Sequence, residues 1–169
     1  MFNYETPYYE VIKTDNPIEI RKYENFYIVE YDNKNDPNIN NGFGTLFRYI
    51  GSDNTENQKI SMTVPVIEEM TDDRLKMAFV VPKEHWDKIP RPNNPNLTIK
   101  KFEKGYFSVV KYSGFSNKSK EKDKLEKLEN WIEQNGYSKI SNPMLAFYNP
   151  PFTPPMFRRN EIMIRVEEK

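Results

Sequence analysis

From Ile18 to Tyr31 apolar and charged residues alternate with period 2, as Ile18-Glu19-Ile20-Arg21-Lys22-Tyr23-Glu24 and on through Phe26, which predicts a half-buried strand. A polar, Asn-rich stretch from Asp32 to Asn41, carrying Pro37, ends it. Phe43, Leu46, Phe47 and Ile50 then recur at spacings of three and four, a helical period, and Gly51-Ser52-Asp53-Asn54 stops the run as a C-terminal cap. The expected element is one short helix with an aromatic face. Two strand-like runs follow, Ile60 to Glu68 and Arg74 to Pro82, with Thr71-Asp72-Asp73 as the turn between them.

The second half repeats this order. Leu97-x-Ile99-Lys100-Lys101-Phe102-Glu103 matches Ile18-x-Ile20-Arg21-Lys22-Tyr23-Glu24 in character, and after two extra residues, Lys104 and Gly105, Val109-Val110-Lys111-Tyr112 matches Ile28-Val29-Glu30-Tyr31. A helix is predicted from Ser119 to Gln134, where Leu125, Leu128, Trp131 and Ile132 form an apolar stripe in a charged background that Asn135-Gly136 closes. Two strands end the chain, Met144 to Asn149 and Glu161 to Glu167. Each half therefore reads as strand, helix, strand, strand. The expected fold is α+β: one domain over 1–169, duplicated as pseudo-repeats at about 18–82 and 97–167, with mostly antiparallel strands and two helices packed on them. Pro90-Arg91-Pro92-Asn93-Asn94-Pro95 reads as a stiff connector between the halves. Asn149-Pro150-Pro151-Phe152-Thr153-Pro154-Pro155-Met156-Phe157 is a second proline knot, read either as a stiffened edge loop or as a rigid lip that presents Phe152, Met156 and Phe157 at a cleft.

Composition narrows the functional classes. The chain has 169 residues, enough to bury a core without disulfides or a structural metal. It has no Cys and one His, which excludes thiolate zinc sites, Cys nucleophiles and His-cluster metal centres. With 25 basic and 25 acidic residues the net charge is zero, which argues against phosphate-led binding of nucleic acid. The apolar fraction is low at 37 %, but 11 Phe, 11 Tyr and 2 Trp supply large side chains from which to build a core. No stretch approaches the length of a membrane span, and Met1-Phe2-Asn3-Tyr4-Glu5-Thr6-Pro7 lacks the pattern of a signal peptide, so the expectation is a cytoplasmic protein.

Catalytic motifs are missing from the sequence: there is no G-x-S-x-G elbow, phosphate loop, G-x-G-x-x-G or H-E-x-x-H. Gly42-Phe43-Gly44 is better read as a flexible start to the first helix. What remains is a site made of rings and a few charges, suited to a flat apolar ligand with anionic substituents.

Three groups of residues carry a family resemblance. Ile18-Glu19-Ile20-Arg21-Lys22-Tyr23, then Phe43 to Gly51 followed by Ile60-Ser61-Met62-Thr63-Val64-Pro65-Val66, and finally Tyr148-Asn149-Pro150-Pro151 with Arg158-Arg159-Asn160-Glu161-Ile162 resemble the SOUL family of heme-binding proteins, in order and over essentially the whole chain. The resemblance implies a distorted antiparallel barrel-like sheet with two helices, a fold shared with bacterial effector-binding domains of the gyrase-inhibitor-like type. It also implies heme or another tetrapyrrole in a shallow apolar surface cleft beside the first helix. Carried over by position, that cleft falls on Phe43, Phe47 and Arg48 and on Phe152, with Arg48 placed to meet a propionate. A guanidinium suits a carboxylate because it donates two parallel hydrogen bonds.

The sequence departs from the family pattern at two positions. Lys22 stands where one branch has a histidine regarded as an axial iron ligand, and Thr153 replaces a second basic residue, which leaves Arg158 or Arg159 for the other propionate. Heme binding without strong axial ligation is the expectation. His85, in Lys83-Glu84-His85-Trp86-Asp87, is the remaining imidazole candidate for a metal, beside the plainer reading of a partly exposed loop histidine. Tyr49, Met62 and Met156 are weaker candidates, with Tyr49 and Met62 better read as core, as are Tyr23, Phe79 and Phe102. The leading expectation is a monomeric, non-enzymatic tetrapyrrole carrier or buffer. The alternative is a small-molecule effector-binding domain for a lipophilic cation, which calls for a buried carboxylate; Glu161 and Glu68 are the residues to inspect for it.

Overall fold

A computed structural model of the chain describes residues 4–35, 40–150 and 152–169, so the expected loop position Pro37 and the motif residue Pro151 lie outside the described residues. The elements are β1 (Tyr9–Asp15), β2 (Ile18–Tyr23), β3 (Phe26–Asp32), α1 (Gly42–Gly51), β4 (Val66–Glu69), β5 (Lys76–Val80), β6 (Leu97–Phe102), β7 (Gly105–Tyr112), α2 (Lys118–Gln134), β8 (Tyr137–Lys139), β9 (Met144–Phe147) and β10 (Asn160–Glu168), with single 3-10 turns at Lys83–His85 and Pro155–Phe157. Every strand pairing within the two compact units is antiparallel, and the class is α+β with two helices, as the sequence pattern predicts.

The first unit consists of Asn25–Glu103 and the N-terminal segment up to Pro7. Its strands run in the order β4–β5–β3–β6. Helix α1 lays Leu46, Tyr49 and Ile50 against Val29, Tyr31, Ile60, Phe79 and Leu97, a core of large side chains closed at its rim by Met62 and Leu75. Gly42 starts the helix where a Cβ would stand 2.9 Å from Leu75 and 3.0 Å from Tyr31, so close approach of the backbone to these side chains calls for a glycine there. At the other end Ser52 turns to a positive φ of 128°, and the buried Asn54 side chain donates to the carbonyls of Tyr49 and Gln58.

The second unit consists of Tyr8–Glu24 and Lys104–Lys169. Its strand order is β1–β2–β7–β10–β9, with β8 also on β10. The Asn117 side chain caps α2 by accepting from the Lys120 N–H at 2.9 Å. Leu128, Trp131 and Ile132 are the buried residues of this helix, and the Trp131 Nε1–H donates to Asp15 at 2.7 Å.

Several element boundaries depart from expectation. The run 18–31 is two strands broken at Glu24-Asn25, and β2 and β3 belong to different units. β6 and β7 part in the same way, so the leading strand of each sequence half pairs in the unit built mainly by the other half. The strand expected from Ile60 shrinks to Val66–Glu69, because the Thr63 hydroxyl donates to the Val80 carbonyl at 2.6 Å and Pro65 has no N–H for a ladder. β2 is buried on both faces, Lys22 excepted, so its alternating charges do not face solvent.

Candidate functional site

The spacing that buries Leu46, Tyr49 and Ile50 leaves the opposite face of α1 to Phe43, Phe47 and Arg48. Phe43 is 45 % exposed and Phe47 57 %. Their rings stack at 6.1 Å with 17° between planes, one helical turn apart, and Phe43 meets Phe79 edge-on at 5.5 Å, which anchors the pair to the core. Arg48 is exposed beside them and donates from Nη2 to the Thr45 hydroxyl at 3.3 Å. The first helix thus brings three of the five expected site residues together as a shelf of two rings with a cation at its edge.

The other two lie in the second unit. Phe152 is exposed, and the half-buried Arg158 donates from Nε to the Thr153 carbonyl at 2.9 Å while its guanidinium lies 4.5 Å from the centre of the Phe115 ring. Arg159, the other cation considered for a propionate, is committed elsewhere: it donates to Glu161 at 3.0 Å and to the Tyr9 hydroxyl at 3.1 Å and stacks over Tyr148. Lys22, at the position of the family histidine, faces outward.

His85 requires a correction. It is buried, not partly exposed, because it closes the 3-10 turn behind Val81 and Pro82, and its Nε2 lies 3.3 Å from a Glu84 carboxylate oxygen. Among the described residues no group of three His, Cys, Asp or Glu side chains is arranged to hold a metal ion. Tyr49 is core, and its hydroxyl donates to the Pro90 carbonyl at 2.6 Å; burial pushes its pKa up to about 12. Met62 packs at the edge of the same core, whereas Met156 is exposed.

Sequence reasoning singled out Glu161 as a carboxylate to inspect but missed the network around it. Arg21 and Glu161 are fully buried, and the guanidinium binds both carboxylate oxygens, at 2.7 and 2.8 Å. Arg21 also donates to Glu19 at 2.8 Å and to the Tyr23 hydroxyl at 3.0 Å, and Lys111 reaches Glu19 at 3.1 Å. Burial works against the charged form of Arg21, but its hydrogen bonds to Glu161 and the charges around it more than offset this and hold it as a cation. Burial pushes the Tyr23 hydroxyl up to about 12. Glu68 is half-buried on β4. The sequence signal for the network was the charged alternation in Glu19-x-Arg21, which places that pair on one face of β2, and in Arg159-x-Glu161 at the entry to β10.

A family model described as SOUL heme-binding protein matches residues 4–165. Heme-binding protein 2 of Mus musculus is 26 % identical over 139 residues, covering 76 % of this chain and 66 % of that protein, just under two thirds of its length. Among solved structures, the EcmrR C-terminal domain superposes with a TM-score of 0.62 at 13 % identity, covering 95 % of this chain and 99 % of that one. A protein described as a hydrolase from Listeria innocua superposes with a TM-score of 0.60 at 14 % identity, covering 89 % and 91 %. At such identities these two likenesses establish a shared fold and nothing about chemistry.

Proposed function

Because this chain belongs to the SOUL family of heme-binding proteins, we propose that it binds heme or a related tetrapyrrole and serves as a non-enzymatic, monomeric carrier or buffer in the cytoplasm. The single observation that carries the reading is the stacked Phe43–Phe47 pair held open to solvent on α1 with Arg48 at its edge. A flat apolar macrocycle would cover both rings, contributing roughly 1–2 kcal/mol for each. Arg48, at the edge of the two rings, is the cation on α1 that would meet a propionate. With Lys22 in place of the family histidine, affinity would rest on apolar burial and this ion pair rather than on an imidazole–iron bond.

Hemin titration of the purified chain, followed at the Soret band, tests this. A saturable shift at micromolar protein that Phe47→Asp with Arg48→Glu weakens at least tenfold, on the order of 1.4 kcal/mol, is expected. No saturable shift, or one indifferent to those substitutions, would refute the assigned residues. The effector-domain reading with a lipophilic cation is less favoured, because both oxygens of the buried Glu161 already accept from Arg21 and Arg159 and its charge is matched.

A further inference from the structure

Two loops of the second unit, 113–117 and 152–158, are fastened to each other. The Gly114 N–H donates to the Pro155 carbonyl at 2.8 Å, the Asn160 side chain donates to the Gly114 carbonyl at 2.8 Å, and Arg158 stacks over Phe115. On this double loop Phe115, Phe152, Met156 and Phe157 are 57, 81, 75 and 70 % exposed. The arrangement is stiff: Pro150, Pro154 and Pro155 fix their φ angles, and the 3-10 turn is closed by hydrogen bonds from Phe157 and Arg158 to the carbonyls of Pro154 and Pro155. Four large apolar side chains held in water at one place by a rigid scaffold mark a surface that something covers.

The charge around them indicates what. Segments 113–124 and 149–159 contain Lys118, Lys120, Lys122, Lys124, Arg158 and Arg159 against Glu121 and Asp123, in a chain that carries 25 of each sign. Even with Arg159 committed to Glu161, the surplus stays positive, and Glu121 is engaged by the Ser116 hydroxyl at 2.7 Å. The lysines are spread around the first turns of α2 rather than aimed at one point, which suits a diffuse layer of negative charge better than one discrete carboxylate. Apolar tips on loops beside scattered cations complement an anionic bilayer: rings and thioether enter the boundary between headgroups and acyl chains while ammonium groups meet phosphates. We propose that this double loop docks the protein on anionic lipid surfaces. The inference does not rest on the tetrapyrrole reading.

Vesicle flotation of the full chain without hemin tests it, comparing phosphatidylcholine vesicles with vesicles containing about 30 mol % phosphatidylserine. The chain is expected to float with the anionic vesicles only and to be released at about 0.5 M salt. Met156→Ser with Phe157→Ser should lower the bound fraction at least tenfold, and Lys118→Glu with Lys122→Glu should do the same by a different route, with unchanged circular dichroism in both variants. No binding to anionic vesicles would overturn the proposal and leave the patch to an acidic protein groove. Equal binding to neutral vesicles, or binding indifferent to both double substitutions, would overturn it as well.

Discussion

Arg21 on β2 and Glu161 on β10 bind one another through two parallel hydrogen bonds although β7 runs between their strands, so the pair bridges over the middle strand of its sheet. Both side chains are shut off from water. Replacing Glu161 by Gln removes the carboxylate that binds the buried guanidinium through two hydrogen bonds and leaves Glu19 to balance its charge, which costs about 3 kcal/mol, whereas replacing both partners with apolar residues of similar volume costs far less. Urea denaturation is expected to show a large loss of midpoint for Glu161→Gln, and a smaller one for Arg21→Met combined with Glu161→Leu.

Glu19 sets an acid limit on the same network. Burial pushes its pKa up, but hydrogen bonds from Arg21 and Lys111 and the charges of both outweigh that and hold it below the usual value of 4.5. A carboxylate whose pKa is lower folded than unfolded contributes stability above its unfolded pKa, and the contribution disappears as pH falls through the folded value. Stability should therefore be level for this group above pH of about 4.5 and drop below it. Midpoints measured from pH 7 to pH 3 should fall less steeply for Glu19→Gln, and parallel curves would contradict the assignment.

At alkaline pH the sign reverses. Tyr23 and Tyr49 are both raised to about 12 by burial, so folding favours their protonated forms. Their contribution is whole below pH of about 10 and is lost as pH rises toward 12, roughly 2 kcal/mol for each. Absorbance near 295 nm should show these tyrosines ionising together with unfolding, after the exposed ones. Tyr49→Phe loses the hydrogen bond to Pro90, at a cost of about 1 kcal/mol near neutral pH, and should make the alkaline decline shallower.

How far these features could be read in advance depended on the distance over which each is decided. Helix α1 was legible because Leu46 and Ile50 repeat at the helical period, and the expected 43–50 became 42–51. The aromatic face of α1 was legible for the same reason. The strand break at Glu24-Asn25 was not, because two amphipathic strands joined by two polar residues keep one continuous alternation. β1 was missed: among the described residues it pairs only with β2, and six of its seven residues are exposed, so it has no buried face to leave a pattern. His85 sits among Lys83, Glu84 and Asp87, which reads as surface, and only the 3-10 turn carries it inward. Arg21 and Glu161 are 140 residues apart, and no local pattern announces that they meet.

Neighbours on α1 separate a structural role from a binding one. Leu46 is fully buried between Tyr31, Phe79 and the rest of the first core, so Leu46→Ala removes buried methyl groups and leaves a cavity, costing about 2–5 kcal/mol. Phe47, one residue on, is 57 % exposed and stacks on the Phe43 ring across one helical turn, so Phe47→Asp should change stability by no more than about 0.5 kcal/mol. In hemin titration the order is expected to invert. The Leu46 variant, once folded, should keep its affinity within a factor of about two, since the exposed shelf of Phe43, Phe47 and Arg48 is intact, while the Phe47 variant should lose affinity roughly tenfold because a carboxylate now faces the apolar macrocycle. If affinity instead follows stability through both substitutions, the rings on α1 serve the fold and not a ligand.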